Sequence, residues 1–149
     1  MSKQNRTIEF ERTFHAPIQL VWEVWTQKEH IINWWSPPGM VTTINTYEFK
    51  EGGEWEYTMS MPNGQSFVAN GRFIAIETMR KISTEANFAP KTVGVHLESF
   101  FEQDGMNTKF QFHIVHPSEE YRTQQEKMGV AQGWEAALDR LGELLWNIS

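Results

Sequence analysis

Trp55, Tyr57 and Met59 recur at every second position, and Phe73, Leu97, Phe110 and Phe112 stand at inward phases of later runs of the same kind. Side chains at i and i+2 of a strand share a face, so these seven residues read as one apolar, aromatic surface. Such a surface can recognise a small apolar or aromatic molecule. It can equally be a filled core, since aromatic and Met side chains commonly serve there. Met128 and Gln132, from a helical stretch near the end, are expected above this surface. Tyr57 and Gln132 stand out, because a buried hydroxyl or amide needs a hydrogen-bond partner; a ligand oxygen or a water can supply it.

Residue types that make or break bonds are thinly placed. His96 and His113 fall on neighbouring strands, on the face opposite the apolar residues, where a cross-strand pair could touch a metal. A closed site wants three or four ligands, and His15, His30 and His116 form no motif with the pair. No metal is expected. Ser99 faces inward and Glu48 and Glu77 lie near strand ends, yet no His stands beside the serine. The roles of acid, base and oxyanion donor cannot be filled by name, so the catalytic residues stay unknown and no cofactor is called for. Gly52-Gly53 is a turn, since no Lys-Ser/Thr and helix follow it as in a phosphate loop. Trp34-Trp35-Ser36-Pro37-Pro38-Gly39 has two readings. Either both indoles pack around the Pro-rich corner, or one is exposed as a lid or a protein-binding anchor, a role in which Trp is enriched.

Composition removes whole classes. The absence of Cys excludes disulfides, thiol nucleophiles and thiolate metal sites. Thirteen Lys and Arg against nineteen Asp and Glu leave a net charge of −6 without any basic run, which makes nucleic acid a poor partner. No apolar stretch approaches the ~18–20 residues of a membrane span. Met1 to Arg6 has no apolar signal-peptide core behind its charges, so a cytoplasmic location is expected. The 149 residues, 40% hydrophobic and 21% charged, fit one globular domain over 1–149. Seven Trp, ten Phe and three Tyr are the unusual feature.

The elements that must position these residues follow from periodicity. Thr7 to Phe14 alternates as a strand with one wet face. Pro17 then suits the first turn of a helix, and Ile18, Val21, Trp22 and Trp25 give it an apolar stripe. A second short helix is expected over Lys28 to Trp34, stopped by Pro37-Pro38-Gly39. Strands follow over Thr42 to Phe49, Glu54 to Met61, Ser66 to Glu77, Lys81 to Phe88, Thr92 to Glu102 and Thr108 to His116. Asn63-Gly64 marks one hairpin, and Gly71 marks a bulge or bend. Ser118 is an N-cap with Glu119 and Glu120 behind it. Val130, Trp134, Ala137, Leu138, Leu141, Leu145 and Ile148 trace the stripe of a final helix of roughly thirty residues, far above the ~11–12-residue mean. Gly129 and Gly133 inside it predict close packing or a kink. Strand, two short helices, six strands and a long helix make an α+β fold, in which only the last helix can cover the sheet. A gap beside that helix is a candidate pocket.

Phe14-His15-Ala16-Pro17 before a helix, Trp34-Trp35-Ser36-Pro37 after it, and Gly52-Gly53-Glu54-Trp55-Glu56-Tyr57 together resemble a known family. Met61-Pro62-Asn63-Gly64, Gly71-Arg72-Phe73 and the ending Gly133-Trp134 with Leu138, Leu141 and Leu145 extend the likeness over nearly the whole chain. The family is the activator of Hsp90 ATPase homologue 1-like (AHSA1-like) group of the START/Bet v 1-like (SRPBCC) superfamily. The resemblance implies a helix-grip fold: a curved seven-stranded antiparallel sheet around a long C-terminal helix, with two short helices after the first strand. It also implies a hydrophobic cavity between sheet and helix. The leading expectation is therefore a protein that binds a small apolar or aromatic molecule. A cyclase- or lyase-like enzyme using the same cavity is one alternative. The other is a stress-response module that contacts Hsp90-type chaperones through Trp34 and Trp35. A monomer and a homodimer are equally allowed.

Overall fold

A computed structural model of the chain describes residues 3–36, 39–88 and 92–148. After a short 3-10 turn at Lys3–Arg6, the order is β1 (Thr7–Phe14), α1 (Ile18–Thr26), α2 (Lys28–Trp34), β2 (Val41–Tyr47), β3 (Glu54–Ser60) and β4 (Ser66–Glu77). There follow β5 (Lys81–Phe88), β6 (Thr92–Asp104), β7 (Asn107–Val115), α3 (Glu119–Lys127) and α4 (Val130–Ile148). The seven strands form one antiparallel sheet in the order β1-β7-β6-β5-β4-β3-β2. Strands β2 to β7 are a meander, and β1 returns to the far edge beside β7. Helices α1 and α2 thus carry the chain from one sheet edge to the other. This is the helix-grip architecture in α+β form.

Alternation sets which face is buried. Phe10 and Phe14 of β1, Trp55 and Tyr57 of β3, Val95, Leu97, Ser99 and Phe101 of β6, and Phe110, Phe112 and Ile114 of β7 all point into one core. From α4, Trp134, Ala137, Leu138, Leu141 and Leu145 close onto it, spaced three and four apart as one helical stripe requires.

Three expectations need correction. The terminal helix is two helices, because Gly129 takes φ 86° and ends α3. A left-handed residue costs glycine little at a helix C-terminus. Ser118 does cap α3, accepting from the Tyr121 N–H at 3.1 Å. Gly133, by contrast, is ordinary helix with open space where a Cβ would stand. The bulge expected at Gly71 falls between Phe73 and Ala75; Gly71 itself keeps register, opposite Trp55 and Ala86. Pro37 and Pro38, expected to stop α2, lie outside the described residues.

The two short helices are held by side chains rather than by glycine caps. The last carbonyls of α1 lack helical partners: the Trp34 indole N–H donates to the Val24 carbonyl at 2.9 Å, and the Tyr47 hydroxyl donates to that of Thr26. The Arg140 guanidinium of α4 donates to the carbonyls of Ser36 and Asn33 beyond and within α2. A cation there suits the negative end of the helix dipole. The Ser36 and Thr42 hydroxyls bond to each other. Aromatic rings near α1 and α2 are therefore fixed in place by the bonds that end the helices.

Candidate functional site

Two apolar spaces lie inside the grip, and Trp35 stands between them. The inner one, about 40 Å³, is enclosed by α1 and α2 on one side and the sheet on the other. Its walls include Trp25, Ile31, Trp34, Tyr47, Trp55, Tyr57, Phe73, Leu97, Ser99 and Phe112. The outer one, about 200 Å³, opens between the ends of β3, β5 and β6 and the first turns of α4. Trp35, Met59, Phe88, Thr92, Val130, Gly133, Trp134 and Ala137 line it. The Trp35 ring sits 4.9 Å from that of Tyr57, 5.2 Å from Trp134, 5.6 Å from Trp55 and 6.3 Å from Phe88, centroid to centroid. Aromatic side chains fill most of the grip and leave these two remnants.

Five of the nine expected residues, Trp55, Tyr57, Phe73, Leu97 and Phe112, wall the inner space, and Met59 walls the outer. Phe110 lines neither. It is buried among Phe14, Trp25 and Phe101, with centroids at 5.6, 4.8 and 5.2 Å, and belongs to the packed core. Met128 and Gln132 are corrections. Met128 ends α3 and is 48% exposed. Gln132 lies two residues before Trp134, about 200° around the helix at ~100° per residue, so it faces solvent.

Of the two readings of the Trp34-Trp35 corner, the structure favours the first, with both indoles packed, and corrects the exposed anchor. Trp34 is 1% exposed, its ring stacked on Trp25 at 4.6 Å, and Trp35 is half-buried. Neighbouring residues bury together here because Trp35 keeps helical backbone angles at the end of α2, so its ring leaves ~100° around from that of Trp34, between the sheet and α4. No exposed Trp pair is presented to a protein partner. What sequence reasoning missed is the role of Trp35, Phe88 and Trp134 as a common wall. Trp134 had a signal as the first buried residue of the α4 stripe; Phe88 had only its place at a strand end.

Among the described residues neither space has a charged residue in its wall. The polar groups are hydroxyls, and most are engaged. Thr84 Oγ1 accepts from the Trp55 indole N–H at 2.8 Å, and Thr92 Oγ1 donates to Gln125 Oε1. Ser99 forms no side-chain hydrogen bond among the described residues, and neither does Tyr57, which is likewise buried. Burial, then the neighbouring Tyr47, pushes its ionisation far up. Burial and Glu29 do the same to Tyr47, so both remain neutral hydroxyls. Among the described residues the wall holds no carboxylate or imidazole that could act as acid and base near neutrality.

Outside this site the sheet pairs His96 with Val115 and His113 with Glu98. The two imidazoles are thus offset, and no cross-strand pair forms. Among the described residues no three His, Asp or Glu side chains gather as metal ligands, and no helix is long and apolar enough to cross a membrane. His116 is buried where β7 meets the N-terminal turn. Its Nδ1 lies 3.0 Å from the Arg6 carbonyl, while Nε2 is buried without a partner among the described residues. Burial lowers its pKa below 6.5, with a smaller push the same way from Arg122, against the opposing effects of the Arg6 bond, Glu126 and the Ile114 bond. The unfolded chain therefore takes up the proton first as pH falls, so stability is full above pH 6.5 and declines below it until the folded form protonates too. His116→Asn keeps a donor for Arg6 and removes the titration. Its melting midpoint should fall less between pH 7 and 5 than that of the parent; equal slopes would clear His116 of this role.

A family model described as activator of Hsp90 ATPase homolog 1-like protein matches residues 15–146. No curated protein is similar enough in sequence to count as a relative. Among solved structures, protein Ms6760 from Mycobacterium smegmatis superimposes with a TM-score of 0.88 at 21% identity, over 99% of this chain and 96% of its own. A protein from Arthrobacter aurescens gives 0.89 at 22% identity, over 100% and 91%. One from Rhodobacter sphaeroides gives 0.89 at 18%, over 100% and 98%. These likenesses concern the fold.

Proposed function

Given that the chain belongs to the activator of Hsp90 ATPase homolog 1-like family, we propose that it binds a small apolar or aromatic molecule in the outer pocket, against Trp35, Phe88 and Trp134. The observation that carries this reading is the pocket itself: about 200 Å³ and, among the described residues, apolar except for Thr92, whose hydroxyl is already engaged by Gln125. Apolar cavities near ~150 Å³ stay dry and take up benzene-sized molecules. Water gains little here, and a flat ring gains contact with three aromatic faces.

Thermal melting against a panel of uncharged aromatic and aliphatic compounds tests it. A ligand at one hundred times its Kd adds ~2.7 kcal/mol, which raises the midpoint of a domain this size by roughly 5–10 °C. Gly133→Leu supplies the control, because its side chain would enter open space in the pocket wall on a helix that leucine favours over glycine. That variant should melt no lower than the parent alone and lose the ligand shift. A panel without any shift, or a shift that Gly133→Leu leaves intact, would remove the ligand from this pocket.

A further inference from the structure

We propose, resting on that binding reading, that the ligand is an uncharged aromatic molecule carrying one hydrogen-bonding oxygen, with its ring in the outer pocket and its oxygen reaching past Trp35 to the Tyr57 hydroxyl. The walls decide the charge. Among the described residues no Lys, Arg, His, Asp or Glu lines either space, and the nearby Arg140 is engaged by the carbonyls of Ser36 and Asn33. An ionised carboxylate or phosphate would lose its hydration and find no charged partner among those residues.

The inner space decides the polar end. Its 40 Å³ cannot take a ring, but one water-sized group needs only about 10–15 Å³. The Tyr57 hydroxyl at its wall is 4%-exposed in residue terms and forms no bond among the described residues. That hydroxyl borders the inner space and can both donate and accept. A ligand hydroxyl or carbonyl satisfies it.

Trp35 decides the path. The indole N–H groups of Trp34 and Trp55 are tied, to the Val24 carbonyl at 2.9 Å and to Thr84 Oγ1 at 2.8 Å. Among the described residues the Trp35 indole forms no such bond, and it alone lines both spaces. Its rotation costs ring contacts and no hydrogen bond, so it is the ring that yields to join the two spaces.

Naphthalene, 2-naphthol and 2-naphthoate share one skeleton and separate the terms. Calorimetric titration of the full chain at pH 7.5 should give a Kd for 2-naphthol about fivefold below that for naphthalene, the ratio one neutral hydrogen bond supplies. The carboxylate should bind at least a hundredfold more weakly than the naphthol. In Tyr57→Phe the naphthol advantage should vanish while naphthalene keeps its Kd, and the Trp35 indole resonance should shift with naphthol while that of Trp34 stays. Naphthoate binding as well as naphthol would overturn the inference, and so would a naphthol advantage that survives Tyr57→Phe, with ligand binding itself left standing. If none of the three binds and the melting panel shows no shift, both the inference and the binding reading fall.

Discussion

Trp34→Ala is expected to lose about 4–8 kcal/mol, comparable with the whole stability of a small domain, which lies at ~5–15 kcal/mol. Two losses coincide at this residue. The indole is 1% exposed and stacked on Trp25 at 4.6 Å, so truncation leaves a void; deletions of buried aromatic rings cost ~3–5 kcal/mol. The same indole N–H is the donor for the Val24 carbonyl near the end of α1, and an orphaned buried acceptor costs a further ~1–3 kcal/mol. Trp34→Phe separates them, because it refills most of the volume without the donor, and it should lose only the second amount plus a small void. Urea unfolding followed by far-ultraviolet circular dichroism measures both. A loss below about 2 kcal/mol for the alanine variant would mean that the site collapses freely and that α1 ends without help. In that event the walls of the inner space are less fixed than their hydrogen bonds indicate.

How far the architecture could be read from residues depended on the range of the signal. Period-two alternation is local, so Trp55 with Tyr57, Leu97 with Ser99 and Phe101, and Phe110 with Phe112 and Ile114 all bury as their spacing required. The ordered motifs from Phe14 to Leu145 added the helix-grip arrangement of sheet and terminal helix, and the family match over residues 15–146 agrees with them. Convergence was less legible. Trp35, Phe88 and Trp134 meet only because α2 crosses the mouth of the sheet and β5 and β6 end beside α4, a relation that no residue's own neighbourhood encodes. Phe110 shares a face with Phe112 yet is walled off by Phe14, Trp25 and Phe101. Gly129 and Gly133 look alike in a helical stretch. Only the first takes φ 86°, and the break it makes divides α3 from α4. Gln132 was placed inward, although the stripe from Trp134 to Leu145 puts it opposite.

Gly71→Ala should cost about 3–5 kcal/mol and abolish ligand binding, the second large effect, through a contact between backbone and ring. A Cβ on Gly71 would stand 1.9 Å from the Glu85 carbonyl oxygen and 2.7 Å from Cε2 and Cζ2 of Trp55. Real carbon atoms do not approach so closely, and one neighbour is backbone in the β4–β5 ladder, where Gly71 pairs with Ala86. Something must then move. If Glu85 yields, the ladder opens beside the Thr84 hydroxyl, which donates to the carbonyls of Arg72 and Glu85. If Trp55 yields, its indole leaves Thr84 Oγ1 and turns toward Tyr57, whose ring is 4.9 Å away, and the inner space closes. Overpacking of this kind costs ~1–3 kcal/mol and each buried group left unpaired ~1–3 more. Gly133→Ala is the matched control, with nothing within 4 Å of its Cβ; in a helix interior it should gain roughly 0.5–1 kcal/mol. Urea midpoints for the two variants, with 2-naphthol titrated into each, separate the outcomes. Gly71→Ala within 1 kcal/mol of the parent would show that the ring and strand can part without loss, and the glycine would then owe its place to something other than Trp55.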